Sequence, residues 1–133
     1  MPTDAQYRQL LAFRTSLRRF DKWSREAAAE HGLSHVQHQL MLAVRGSASP
    51  AGPTVGEVAD ALLVKPHTAG ELADRLRALG FVERVRDTED HRRVHLRLTG
   101  AGEDVLRRLT AVHLEELRRL RPLLGAVAED VVE

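Results

Sequence analysis

The sequence predicts a mainly α-helical fold with a small β-hairpin, in which a helix-turn-helix lobe and its hairpin lie between long terminal helices. Three observations carry this. Residues 4–30 form an uninterrupted helical pattern with no Gly or Pro. Two short helical segments follow one another across a tight turn at 63–66. Apolar spacing then switches from the helical period to strict alternation at 81–98, the mark of strands.

Element by element, Leu10, Phe13, Leu17 and Phe20 form the apolar stripe of the first helix, widened by Tyr7, Leu11, Trp23 and Ala27. Gly32 ends it, because glycine accepts the left-handed conformation that closes a helix. Ser34 caps the second helix with Gln37 as capping-box partner, and Gly46 stops it. The segment 47–53 (SASPAGP) is a loop by composition. Thr54 caps a third helix with Glu57 at its third position; Val58, Ala59, Leu62 and Leu63 are its apolar residues. Pro66 opens a fourth helix, where its missing N–H costs nothing, and Leu72, Leu76 and Leu79 run along it to Gly80. Strands follow at 81–86 and 94–98, the second with Val94, Leu96 and Leu98 facing in and His95 and Arg97 facing out. The polar stretch 87–93 is the hairpin tip. Thr99 caps a long helix bearing Leu106, Leu109, Val112, Leu117 and Leu120, and Pro122 starts a short last helix with Leu123, Leu124, Val127 and Val131.

Composition bounds the function. A chain of 133 residues with 43% hydrophobic and 29% charged residues is one globular domain. The absence of cysteine excludes disulfide scaffolds, thiolate metal sites, cysteine nucleophiles and thiol-based redox sensing. No apolar run approaches bilayer length, and the opening MPTDAQYRQ lacks the apolar core of a signal peptide, so a cytoplasmic location is expected without membrane contact.

The net charge of +1 is uninformative by itself. Its distribution is not. Of 20 basic residues 18 are Arg, and residues 84–97 carry five of them against three acids, a local excess of +2. Residues 99–133 carry five Arg against seven acids, or −2. The Arg bias has a bland source in genome composition, but Arg is also the side chain that reads guanine edges and enters narrow minor grooves. A helix-turn-helix with an arginine-rich hairpin directly behind it is a winged-helix arrangement.

The stretch 55–102, above all LADRLRALGFVERVRDTEDHRRVHLRLTGAG, resembles the MarR family of bacterial transcriptional regulators. The matching residues are Leu72, Asp74-Arg75-Leu76, Leu79-Gly80-Phe81-Val82-Glu83-Arg84, the D-x-R wing motif at Asp90-His91-Arg92, and Leu98-Thr99-x-x-Gly102. The order of elements extends the resemblance over the whole chain. It implies a homodimer joined by the terminal helices 1–33 and 103–133, with a DNA-binding lobe at 34–102 and its wing at 81–98. It further implies a repressor of a pseudopalindromic double-stranded DNA operator, released by a small-molecule effector. The helical pattern agrees with a dimer: about 27 residues span about 40 Å, longer than one small domain covers.

The resemblance assigns Arg92 to the minor groove and Asp90 to bracing it, against the plain alternative of a solvated ion pair worth little. His91 and Arg93 are backbone-contact candidates. On the fourth helix Lys65, His67, Thr68, Ala69 and Glu71 would meet base edges, while Gly70 would let the backbone approach the groove. His67 and Thr68 read equally well as an exposed first turn. Arg75 would brace the lobe and touch phosphate. A small amphipathic or aromatic acid would sit among Trp23, His38, Met41 and His113, although each also reads as a core residue.

His31, His35 and His38 cluster at the first helix break and raise metal sensing. Against it, the fifth helix offers His113 with no partner one turn away, and no metal or cofactor is assigned. Two other readings compete with a DNA-binding regulator. A winged-helix protein-interaction module is supported by the low net charge. An enzyme has no support, since no nucleophile motif, phosphate loop or metal-binding His pair with a nearby acid is present.

Overall fold

A computed structural model describes residues 1–132, with side chains described through Pro122. The elements are α1 (Asp4–Glu30), α2 (His35–Arg45), α3 (Val55–Leu62), α4 (Pro66–Ala78), β1 (Val82–Arg86), β2 (Val94–Leu98) and α5 (Gly100–Val132). The mainly helical class with one antiparallel hairpin is as expected.

Local chemistry sets most boundaries. Reciprocal capping boxes open α1 (Thr3 with Gln6), α2 (Ser34 with Gln37) and α3 (Thr54 with Glu57), each satisfying two otherwise orphaned N–H groups. The box at Thr3 is an addition to the elements expected from the sequence. Gly32 closes α1 at φ 74°, and the Leu33 N–H returns to the Ala28 carbonyl while its side chain enters the core. Thr99 closes the wing and opens α5 at once. Its hydroxyl donates to the Gly80 carbonyl at 2.6 Å and accepts the Gly102 N–H at 3.1 Å.

The core lies where α2 crosses beneath the lobe, and Leu40, Met41, Val58, Leu76, Leu96 and Leu109 are its largest fully buried apolar side chains among the described residues. The hairpin register pairs Val82 with Leu98 and Arg86 with Val94, so Val82 and Leu96 face that core. The loop before α3 runs along the outer edge of β2. There the Leu96 N–H donates to the Pro53 carbonyl at 2.8 Å, and Thr54 bridges His95.

Three expectations are corrected. His95 points into the protein and is 7% exposed, because the 51–54 loop covers the face that alternation assigns to solvent. Pro122 lies inside α5 and starts no separate helix. A proline removes one backbone hydrogen bond, and the turns on either side carry the helix through. Leu123, Leu124, Val127 and Val131 lie outside the residues whose side chains are described.

Leu63 is the third. It is not part of the apolar face of α3 but its left-handed cap, at φ 57° and 92% exposed. A left-handed leucine costs about 1–2 kcal/mol, and here no buried contact offsets that cost. Leu63→Gly is therefore expected to raise stability by up to about 1 kcal/mol, after the extra freedom of the unfolded chain is subtracted. A lower urea midpoint for the variant would show that the leucine side chain stabilises the turn.

Towards its free ends, the long-helix pair leaves apolar surface uncovered. Tyr7, Leu10 and Leu11 on α1 and Val112, Leu114 and Leu117 on α5 are all exposed, while Ser24, Ala28, Leu106 and Leu109 nearer the lobe are buried. Among the described residues, no helix is long and apolar enough to cross a membrane.

Candidate nucleic-acid interface

The helix-turn-helix presents one edge of α4 to solvent. Lys65, in extended conformation before Pro66, makes no side-chain cap and is exposed, as are His67, Thr68, Glu71 and Arg75. His67 Nε2 lies 3.2 Å from Glu71 Oε1, one helical turn away. Ala69, expected among the base contacts, is fully buried. Helical spacing places it with Ala73 and Leu76 on the core face, where it cannot reach a ligand. Gly70 has open space where a Cβ would stand, so the backbone there is accessible.

The wing stands beside this edge. Arg92 extends from the hairpin tip with its side chain 93% exposed, and His91 and Arg93 flank it in the open. Asp90 Oδ1 accepts from both the Arg92 backbone N–H (3.1 Å) and its Nε (3.2 Å), so the carboxylate holds the start of the arginine while the guanidinium stays forward. The ion pair itself is worth about 0–1 kcal/mol at this exposure. Its use is to orient the side chain.

Two connections that the sequence reasoning missed fix the wing to the lobe. Arg84 on β1 reaches Asp74 on α4 at 2.7 Å, and its guanidinium also points to the Gly70 carbonyl at 3.5 Å. Both residues stand in the quoted motif, yet nothing in their spacing shows that they pair. Asp74 binds Arg77 as well, at 3.5 Å, so the expected bracing of the lobe runs through Arg84 and Arg77. Arg75, adjacent in sequence, points outward.

The second connection is His95. Its Nδ1 lies 2.8 Å from the Gly52 carbonyl and its Nε2 lies 3.0 Å from Asp87 Oδ2. The hydrogen bond to Asp87 and that to Gly52 raise the His95 pKa above its ordinary value. The same contact with His95, aided by the Glu89 and Asp90 backbone N–H groups, lowers the Asp87 carboxyl to about 2. Glu57 is lowered by its capping hydrogen bonds from Thr54.

Elsewhere, α1, α2 and α5 enclose a cleft of about 330 Å³ lined by Phe20, Ser24, His35, His38, His113 and Leu117 among others. Of the four residues expected there, His38 and His113 line it. Trp23 packs edge-on against the His113 ring at 4.7 Å behind the wall. Met41 is a core residue with no exposure and does not line the cleft. His113 is held at both ring nitrogens: Nδ1 donates to the Leu109 carbonyl at 2.7 Å, and Nε2 lies 2.7 Å from the Ser24 hydroxyl. The Nδ1 atoms of His35 and His38 are buried and have no partner among the described residues. Among the described residues, no three His, Asp or Glu side chains stand close enough to share a metal ion, so His31, His35 and His38 do not converge on one.

Burial, then the neighbouring His113 and His35, lower the His38 pKa from 6.5 to about 4. A histidine kept neutral in the fold contributes stability above pH 6.5 and loses it as pH falls towards 4. About 3 kcal/mol should disappear across that window, read from urea unfolding at each pH. His38→Phe should flatten this part of the profile. An unchanged slope would assign the acid sensitivity to other groups.

Residues 31–93 match the family model described as MarR family. The chain is 25% identical to the HTH-type transcriptional regulator PecS of Dickeya dadantii (strain 3937), over 78% of this chain and 70% of that protein. Among solved structures it is similar to the DNA complex of MepR from Staphylococcus aureus, with TM-score 0.73 at 19% identity, over 93% of this chain and 86% of that one. It is also similar to wild-type MarR from E. coli in its apo form, with TM-score 0.69 at 21% identity, covering 90% and 93%. At these identities the two structures share the fold.

Proposed function

We propose that this chain is a regulator of the MarR kind, whose family model matches residues 31–93, and that it is a sequence-specific regulator of transcription that binds double-stranded DNA as a homodimer. The observation that carries this reading is the pairing of an exposed polar edge on α4 with a forward-held Arg92 on an anchored wing. In that geometry Lys65, His67, Thr68 and Glu71 meet the major groove, Arg75 a phosphate, and Arg92 the adjacent minor groove, with His91 and Arg93 on the backbone. A similar protein, MepR, is known in a complex with DNA.

The exposed apolar ends of α1 and α5 support the dimer. Tyr7, Leu10, Leu11, Val112 and Leu117 form a surface that a second copy covers by two-fold symmetry, giving two recognition helices spaced for one turn of a pseudopalindromic operator. Residues 1–33 and 103–133 then serve as dimerisation helices around the lobe at 34–102. The protein acts as a repressor rather than an enzyme. A small amphipathic or aromatic acid entering the cleft releases it by favouring a spacing of the recognition helices that DNA does not fit. His38 Nδ1, which has no partner among the described residues, offers such a ligand a polar contact.

Selection of bound duplexes from a random pool tests the reading. Enrichment of an inverted repeat with half-sites about 10 base pairs apart is the expected result. Recovery of sequences without symmetry would favour the protein-interaction reading.

A further inference from the structure

His95 is buried at the seam between the wing and the loop that leads into α3, with an acceptor at each ring nitrogen. A carbonyl and an ionised carboxylate can only accept, and neutral imidazole carries one N–H. In the neutral form one of the two short contacts would set a lone pair against a lone pair. The imidazolium satisfies both.

The contacts continue outward in series. Asp87 accepts His95 on Oδ2 and the backbone N–H groups of Glu89 and Asp90 on Oδ1, at 2.8 and 3.2 Å. Asp90 in turn holds Arg92. At the inner end, Gly52 adjoins Pro53, which binds the Leu96 N–H, and Thr54, which caps α3. A line of hydrogen bonds thus joins the helix-turn-helix to the side chain at the wing tip, and His95 is its one titrating donor among the described residues.

We infer that His95 is a positioning residue whose imidazolium, donating from both ring nitrogens, ties the wing tip to the loop ahead of α3, so that deprotonation loosens the wing and weakens duplex binding. The duplex part of this statement rests on the DNA-binding reading above; the ordering of the wing does not. The charged groups facing His95 are Asp87 from the wing loop, Glu57 from α3 and Arg93 from the returning arm of the wing, while β1 sets Val85 opposite it. The two carboxylates favour the imidazolium, and Arg93 and burial oppose it. With the folded pKa raised above 6.5, the tie is complete below pH 6.5 and is lost as pH rises through the raised value. Asp87 stays ionised throughout that range.

Imidazole NMR on nitrogen-labelled protein between about pH 6 and pH 9 tests the protonation, and hydrogen exchange of the Glu89, Asp90 and Arg92 amides tests the wing. Expected are two protonated ring nitrogens on His95 at pH 6.5, a midpoint above that, and amide protection that falls with the same midpoint. His95→Gln should abolish this transition, and Asp87→Asn, which leaves the histidine in place, should move the midpoint down. On a labelled mixed-sequence duplex of about 30 base pairs at constant ionic strength, affinity should fall about three- to tenfold between pH 6.5 and 8.5. In His95→Gln it should change less than about twofold. A single ring N–H at pH 6.5 would overturn the inference, and so would a titrating His95 with unmoved wing amides. Absence of duplex binding at every pH would remove the DNA reading and leave the amides to decide the wing.

Discussion

Gly102→Ala is expected to destabilise the protein by about 2–4 kcal/mol, the cost of forcing a methyl group into closed backbone packing. A Cβ built at Gly102 would stand 2.1 Å from the Phe81 carbonyl oxygen and 3.0 Å from its carbon. That carbonyl already accepts the Thr99 N–H at 3.0 Å, and Thr99 at the same time closes the hairpin and caps α5. The neighbour is backbone on both sides, so relief requires α5 to lift from the turn that begins the wing. Thermal unfolding should show a midpoint roughly 10 °C lower. Gly70→Ala is the control, since its Cβ would meet nothing within 4 Å. In mid-helix that change should stabilise by up to about 1 kcal/mol. If both variants melted alike, the close approach at Phe81 would not be what glycine is there to permit.

The second large effect is on DNA. If Arg75 and Arg93 on the backbone, and Lys65 and Arg92 from within the grooves, each neutralise a phosphate in both copies, about eight counterions are released on binding. Affinity should then fall by about a thousandfold or more between roughly 50 and 200 mM salt. Arg92→Ala should weaken binding roughly 10- to 100-fold and reduce the logarithmic salt slope by about two, one contact per half-site. The variant should melt like the parent, because a side chain 93% exposed carries little of the fold. An affinity indifferent to salt would end the DNA reading. A large loss with an unchanged slope would mean that Arg92 reads bases or groove shape without displacing counterions.

The difference between legible and illegible parts follows from range. Serine at 34 with glutamine at 37, threonine at 54 with glutamate at 57, and proline at 66 state helix starts within four residues, and the structure begins the helices there. The exposed edge of α4 and the forward position of Arg92 were likewise open to reading, since helical spacing and a polar, arginine-rich tip are local properties. Ala69 shows where that ends. Being near the start of the helix said it was available; which face the helix turns to α2 and α3 decided that it is buried.

Apart from Pro122, whose helix simply continues, the failures are questions of what lies opposite. Alternation along β2 sends His95 to solvent, and only the 51–54 loop, 43 residues away at Gly52, converts that position into a buried one with two acceptors. Asp74 and Arg84 are separate letters in a motif until α4 and β1 are packed together. Leu63 continues the apolar pattern of α3, but the turn to α4 requires a left-handed residue there and turns the side chain outward. The sequence by itself determined the hairpin, the helix starts at Ser34, Thr54 and Pro66 and the concentration of arginine at the wing, because these depend on backbone preferences and periodicity over a few residues. Only the tertiary structure decided which side chains meet across it, since a hydrogen bond or ion pair between distant segments depends on distances that no local pattern encodes.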